Sequence, residues 1–406
     1  MKLKSKKIVP VLLGADLNCY GVARAFHEAY GITSEVFGKC HLGTIKYSKF
    51  IHFHLIDNDI TDAALTDKLV EHARSYTDTS LFLMGCTDDY AEKIIRNKDR
   101  LSEYYFCPCP DKALVDRLIL KASFYETCEK YGIPYPETKV ISSPKEADTE
   151  NLPDLGYPLI IKPSSSVLYW KYPFDGMKKV YTAENANEAQ NIIKDIYASG
   201  YPDKIILQRF IPGADCNMSV LTCYSDKSGH VRMMCLGNVL LEEHTPKAIG
   251  NHAAIITYRN MPLFDKIRAF LDDIGYSGFS NFDIKYDAAN DTYRVFEINL
   301  RQGRSNYYVT GNGINIARLV TDDYFDSLGD EIIYGEPDTL WHTVPLSVVY
   351  KYTADKELVK KAKNIVKHGK VSSSLGYGYD LRINPLRYAY FLVHNFKYYK
   401  KYRLYH

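Results

Sequence analysis

Short apolar runs alternate with amphipathic stretches through the first part of the chain. Ile8–Leu13 (IVPVLL) is an unbroken apolar run and predicts a buried strand. The turn Gly14-Ala15-Asp16 follows, and the spacing of apolar positions over Gly21–Tyr30 predicts a helix. The pattern recurs as a strand over Phe50–Leu55, a helix near Thr61–Tyr76, a strand over Leu81–Met84 and a helix near Tyr90–Arg96. Strand and helix in turn predict a doubly wound parallel sheet covered on both faces. Gly85–Asp89 sits just past a strand's C-terminal end, where such sheets bind ligands, although Thr87 or Asp88 serves equally as a helix N-cap. Gly14 and Gly21 do not make a GxGxxG motif, so no dinucleotide site is expected.

Past the proline-marked boundary at Pro108–Asp111 the pattern becomes α+β. A helix is expected from Lys112 to Tyr131, stopped by Gly132, Pro134 and Pro136. Pro158–Ile161 is a short strand that delivers Lys162 at its tip, ahead of Ser164-Ser165-Ser166 and a loop running to Lys178-Lys179. A lysine followed by small hydroxyl residues is chemistry for cradling phosphate; a plain surface loop is the other reading. Lys204–Phe210 predicts a strand running into Ile211-Pro212-Gly213-Ala214-Asp215. Antiparallel strands are then expected over Asn217–Tyr224, Arg232–Leu241 and Ala253–Tyr258, with a helix near Leu263–Ile274. The loop at 242–252 (EEHTPKAIGNH) carries His244, Lys247 and His252 without metal-ligand spacing. It reads as a substrate or phosphate loop, or as a solvated connection.

Two further strands, Asn281–Tyr286 and Thr292–Leu300, form a predicted hairpin. Alternation puts Phe282, Ile284 and Tyr286 on one face of the first strand and Asn281, Asp283 and Lys285 on the other. On the return strand Phe296, Ile298 and Leu300 are apolar, while Glu297, Asn299 and Arg301 share the polar face. Two carboxylates and an amide oxygen, with an arginine just beyond, suit a hard divalent cation that also holds phosphate. A hairpin with one solvated face is the alternative.

Composition adds limits. The 406 residues are 46% hydrophobic and 25% charged, with a formal net charge of +2, which supplies no field for nucleic acid. The nine cysteines are an odd number and scattered, apart from Cys107-Pro108-Cys109, as expected for reduced thiols in a cytoplasmic protein. No apolar run approaches the roughly 20 residues of a membrane-spanning helix. The segment after Asp330 is rich in tyrosine, lysine and arginine, and Tyr388–Tyr402 predicts an amphipathic helix with a basic end. Residues 380–406 therefore either touch anionic lipid weakly or pack on their own domain.

In order, Lys121, Lys162, the segment QRFIPGAD at 208–215 and the D…E-x-N-x-R series at 283–301 resemble the ATP-grasp superfamily of carboxylate–amine ligases. The resemblance spans about Ile8 to Arg318. It implies an α/β plus α+β fold: a doubly wound pre-ATP-grasp domain (1–110), a small ATP-grasp subdomain (111–204), a catalytic subdomain (205–330) and a C-terminal extension (331–406). It further implies that Lys121 and Lys162 grip the phosphates of ATP, with Ser164 and Ser165 in the phosphate loop. Gln208, Arg209, Phe210 and Ile211 would form the adenine hinge, and Asp215 would meet the ribose. Asp283, Glu297 and Asn299 would hold two Mg²⁺, and Arg301 would steady an acyl-phosphate. Serines where many relatives carry glycines, and Gln208 where an acid is common, are the departures. More narrowly, KPSSSVLYW, CLGNVLLEEHTPKAIGNHAAIIT and FEINLRQGRSNYYVTGNG are similar to the D-aspartate ligases of peptidoglycan synthesis. That similarity implies D-aspartate as the amino-acid donor and a cell-wall precursor amine as acceptor, with Lys247, His252, Gly303 and Ser305 as candidate substrate contacts. The sequence does not identify the base, for which imidazole chemistry makes His244 and His252 the candidates, and an acyl-phosphate that must be kept from water makes the 164–179 and 242–252 loops the candidate lids. A ligase for another amino acid or a dipeptide is the alternative.

Overall fold

The computed structural model describes residues 7–118, 121–148, 152, 155–246 and 248–406, and the chain divides into two compact units. The first comprises residues 1–112, 214–281 and 299–406, and the second residues 113–213 and 282–298.

The first unit opens with β1 (Lys7–Leu13), β2 (Ser34–Gly38), β3 (Ile51–Leu55) and β4 (Thr79–Gly85), all parallel, in the order β3-β2-β1-β4. The expected alternation is present, with one strand more than the apolar pattern revealed: β2 reads SEVFG, too short and too polar at its start to register as a run. The helix Leu17–Tyr30 begins at Asp16, whose carboxylate accepts from the Cys19 N–H. It ends at Gly31, whose φ of 68° lies in the left-handed region that favours glycine. Thr87, not Asp88, caps the helix Asp88–Arg96.

In the second unit, helices Lys112–Leu118 and Lys121–Lys130 stand on either side of residues 119 and 120, ahead of Gly132. The antiparallel strands β5 (Thr138–Ile141), β6 (Leu159–Pro163), β7 (Tyr181–Ala183) and β8 (Ile205–Arg209) run in the order β5-β8-β6-β7. The helix Ala186–Ala198 covers this sheet through Ala189, Ile193 and Ile196, all buried with Leu159, Ile161 and Leu207.

The chain then builds a larger sheet from β9 (Met218–Ser225), β10 (Val231–Glu243), β11 (Asn251–Tyr258), β12 (Gly278–Asp287), β13 (Thr292–Asn299), β14 (Ile333–Tyr334), β15 (Leu340–His342) and β16 (Val371–Ser373). Its order is β13-β12-β9-β10-β11-β15-β16, with β14 beside β10. The predicted antiparallel strands are all present, and β12 passes from the first unit into the second. The segment after Asp330 contributes β14, β15 and β16 to this sheet. Its last helix, Pro385–Tyr405, buries Tyr398 and Tyr402 against Leu240, Ala253 and Val348. Tyrosines that read as tail composition are therefore core residues, their rings buried and Tyr402 Oη donating to the Glu242 carbonyl at 2.7 Å.

One buried ion pair ties this segment to the parallel sheet. Asp380 is fully buried and takes bonds from Tyr20 Oη (2.9 Å), the Lys49 N–H (2.8 Å) and Arg387 Nε (2.9 Å). The Arg387 guanidinium also lies 4.5 Å from the Tyr20 ring centre. Removing one partner leaves the other charge buried without compensation, which costs about 3–5 kcal/mol. Asp380→Ala is accordingly expected to lower the unfolding free energy of the first unit, read from urea titrations, by that amount, and a loss below about 1 kcal/mol would show the pair to be dispensable.

Candidate functional site

Lys162 is the centre of the second unit's polar interior. β6 delivers it opposite Ile206, in a register that also sets Ile160 opposite Gln208. The side chain is buried, with Nζ 3.0 Å from Gln208 Oε1 and 3.2 Å from Tyr125 Oη. Gln208 Nε2 donates to Tyr125 Oη (2.9 Å) and to Thr138 Oγ1 (2.9 Å), which fixes the amide so that its oxygen faces the lysine. Tyr125 in turn gives its proton to the Phe296 carbonyl at 2.8 Å, tying the cluster to β13. The Phe296 ring centre lies 5.7 Å from Nζ. Burial pushes the Lys162 ammonium down to about 8; the Glu297 carboxylate resists that fall, and Lys179 adds to it.

Asp283 and Glu297 stand half-buried on β12 and β13, and Asn299 follows at the end of β13. The Asn299 amide Nδ2 reaches the Asn281 carbonyl at 3.4 Å. The hairpin expected from alternation is present and carries all three oxygen donors.

The hinge residues follow directly. Gln208 is buried, Arg209 is exposed with its N–H on the Glu137 carbonyl, Ile211 is buried, and Lys285 Nζ lies 5.5 Å from the Phe210 ring centre. The serines behave differently from an open phosphate loop. Ser165 caps the short helix Ser166–Tyr169, its Oγ accepting from the Leu168 N–H. The Ser164 N–H donates to the Lys204 carbonyl and the Ser165 N–H meets Tyr201 Oη. Serine at an N-cap position favours that helix over an extended cradle. Residues 169–181 are anchored by Tyr169 and Tyr181, whose hydroxyls bond at 2.7 Å. The backbone of Lys121 begins its helix; its side chain, and all of Lys247, lie outside the described residues.

In the first unit, Asp215 Oδ2 accepts from the Glu242 N–H (2.9 Å) and lies 2.9 Å from His244 Nε2. The loop expected at 242–252 is shorter than its sequence implies, because β10 extends to Glu243 and β11 starts at Asn251. His252 is buried, with Nδ1 3.4 Å from Ser305 Oγ and Nε2 3.7 Å from Glu242 Oε1. Burial pulls its imidazole down to about 4, helped by Arg304 and opposed by Asp215, so it stays neutral at physiological pH and is a weak base. Gly303 has a packing reason: a Cβ there would stand 2.6 Å from Asn281 Oδ1. Arg301 grips Asp88 with two bonds, 2.7 and 2.9 Å.

Two residues escaped the sequence reading. Tyr125 was masked by its place on an amphipathic helix, although it lies one turn beyond Lys121. Arg304 pairs with Glu243 at 3.1 Å, and its Nη1 is buried with no hydrogen-bond partner among the described residues. An arginine three residues past Arg301 in a glycine turn was the available signal.

Comparison with known proteins supplies the family context. No family model matches the sequence. Over 405 residues the chain is 39% identical to the D-aspartate ligase of Enterococcus faecium (strain Aus0004), covering 97% of this chain and 96% of that one. Among solved structures it resembles N5-carboxyaminoimidazole synthetase from Staphylococcus aureus complexed with ADP, with a TM-score of 0.58 and 16% identity over 84% of this chain and 82% of that one. It also resembles the biotin carboxylase domain of Hydrogenobacter thermophilus 2-oxoglutarate carboxylase in complex with MgADP. There the TM-score is 0.60 and the identity 14%, over 82% of this chain and 73% of that one. These likenesses establish the ATP-grasp fold.

The depressed pKa of Lys162 has a stability consequence. Below pH 8 the folded state holds a buried ammonium at full penalty, and between about 8 and 10.5 the unfolded chain binds more protons, so this group's contribution rises with pH. Lys162→Met removes the titrating group. The stability difference between the variant and the parent is expected to shift by about 3 kcal/mol in the parent's favour from pH 7 to pH 10.5, by paired denaturant titrations. A pH-independent difference would place the ammonium in water.

Proposed function

The chain belongs to the D-aspartate ligase family of ATP-grasp carboxylate–amine ligases, and on that premise we propose that it joins the β-carboxylate of D-aspartate to the side-chain amine of a peptidoglycan precursor. It is an ATP-dependent ligase that forms an amide through an acyl-phosphate. The observation that carries the reading is the buried Lys162 cluster, tied through Tyr125 to the hairpin that bears Asp283, Glu297 and Asn299.

A carboxylate is a poor electrophile, and transfer of a phosphoryl group from ATP gives it a leaving group. Lys162, already desolvated, offers concentrated positive charge to the nucleotide phosphates, and charge acts more strongly where water is excluded. Gln208, aligned by Tyr125 and Thr138, and the main chain at 209–211 are the adenine contacts in this reading. Asp283, Glu297 and Asn299 are hard oxygen donors on one hairpin, a set that suits two Mg²⁺. Bound there, the ions would neutralise charge building up on the transferred phosphoryl group. Lys121 is the second phosphate lysine. Arg301, now paired with Asp88, would exchange that partner for the acyl-phosphate, and Arg304 would direct its Nη1 to the amino acid's carboxylate with His252 and Ser305 beside it. The neutral His252 is suited to hydrogen bonding; His244, on Asp215, is the better placed candidate for the base.

ADP release in the presence of ATP, Mg²⁺ and a cell-wall precursor amine, screened over D- and L-amino acids, is expected to require D-aspartate. Asp283→Asn and Glu297→Gln are expected to lower turnover by at least about a hundredfold while the circular dichroism spectrum is kept. Turnover with L-amino acids alone would reject the donor, and near-parental turnover in either variant would reject the metal ligands.

A cytoplasmic location at the membrane face fits such an acceptor. Among the described residues no helix is long and apolar enough to cross a membrane. The helix Pro385–Tyr405 instead exposes Leu386, Leu392, Val393 and Phe396, the last at 75%, with Lys397, Lys400 and Arg403 among them. Apolar residues flanked by cations suit anionic lipid. Because Tyr398 and Tyr402 of this helix are core residues, deleting it would unfold the unit, so the test is the double variant Leu392→Ser, Phe396→Glu. It is expected to lose pelleting with phosphatidylglycerol vesicles while keeping turnover on a soluble acceptor, and unchanged pelleting would overturn the lipid contact.

A further inference from the structure

At the outer edge of the parallel sheet, three imidazoles converge on one carboxylate oxygen. β3 is the edge strand, and its parallel register with β2 sets His52 beside Glu35. Alternation places His54 on the same face as His52. The helix Asp62–Arg74 then returns across that face and brings in His72 on its last turn. Glu35 Oε2 lies 2.9 Å from His52 Nδ1, 2.5 Å from His54 Nε2 and 4.0 Å from His72 Nε2. One atom each of Glu35, His54 and His72 falls within 4.8 Å of the others. Phe37 lines the cluster, stacked on His54 at 4.4 Å and edge-on to His72 at 5.0 Å. The Glu35 and His72 side chains are 14% exposed, and His52 is 64% exposed.

The proton positions matter more than the proximity. Tyr105 Oη donates to the Leu69 carbonyl at 2.6 Å, so toward His72 Nδ1, 3.5 Å away, it can only accept. The His72 proton therefore belongs on Nδ1, and Nε2 turns a lone pair toward the Glu35 carboxylate. Two lone pairs 4.0 Å apart gain nothing from each other, whereas a cation between them satisfies both. A tetrahedral zinc with bonds of about 2.0–2.1 Å sets its ligand atoms roughly 3.3 Å apart, within the spread seen here. A ligating histidine whose other nitrogen donates to an oxygen is also the usual support for such a site.

We propose that Glu35, His54 and His72 bind one Zn²⁺, or a similar divalent cation that favours imidazole, with solvent completing the coordination. Binding displaces the proton shared by His54 and Glu35 to solvent and forms only metal–ligand bonds. The ion clamps the edge strand β3 and the end of the helix onto β2, apart from the ligase chemistry.

The test is a Zn²⁺ titration of the full chain, stripped by chelator, against a chromophoric chelator, with Co²⁺ absorption reporting the coordination geometry. The expected result is one site that weakens by at least about tenfold in His72→Ala and in His54→Ala, with a zinc-dependent rise in melting temperature seen only in the parent. His54→Ala, at a partly exposed position, keeps the test decisive if His72→Ala misfolds. His244→Ala is the control for the second cluster, Asp215, His244 and His406. Absence of micromolar binding, binding unchanged in both variants, or loss in His244→Ala instead would overturn the proposal.

Discussion

A buried ammonium needs partners, and much of the second unit is arranged to supply them to Lys162. Desolvation pulls its pKa down to about 8 against the field of Glu297, while a glutamine oxygen and a tyrosine hydroxyl meet the ammonium as hydrogen-bond partners. Each partner is fixed by something else. Thr138 holds the glutamine, the Phe296 carbonyl holds the tyrosine, and the strand register holds β6 against β8. The result is positive charge kept out of water before any anion arrives. Preorganised charge of that kind costs stability and favours phosphate binding, the trade expected of a site that stabilises a transferring phosphoryl group.

The elements that rest on periodicity were legible in the sequence. The strand and helix alternation of β1 to β4, the antiparallel run from β9 to β11 and the β12–β13 hairpin all appear where apolar spacing put them. β2 was hidden because Ser34 and Glu35 interrupt its apolar character, and in a parallel edge pair Glu35 has its own partners. Lys162 was legible because a proline follows it. Tyr125 was not, since nothing in a helical pattern distinguishes a tyrosine that packs from one that orders a lysine. The serine loop shows the opposite limit: three serines describe hydroxyl chemistry, but only the backbone reveals that Ser165 spends its hydroxyl on a helix cap. Arg304 was obscured in the same way, and His252, although named, showed its neutral character only through burial.

The C-terminal segment shows how little composition says about organisation. Tyrosine and basic residues left an extension that either touches lipid or packs on its own domain, with no strands foreseen in it. Its strands instead complete a sheet begun more than a hundred residues earlier, and Asp380 and Arg387 join it to the parallel sheet through a buried pair. Lysine and arginine at the helix surface remain, so one segment provides core on one face and cations on the other.

The central claim is that Lys162 must be charged to hold the nucleotide, and the direct measurement is ATP affinity as a function of pH in the parent and in Lys162→Met. The parent is expected to bind with constant affinity up to about pH 8 and progressively more weakly above it, while the variant binds weakly with no inflection there. Equal affinities, or the same inflection in both proteins, would contradict the account.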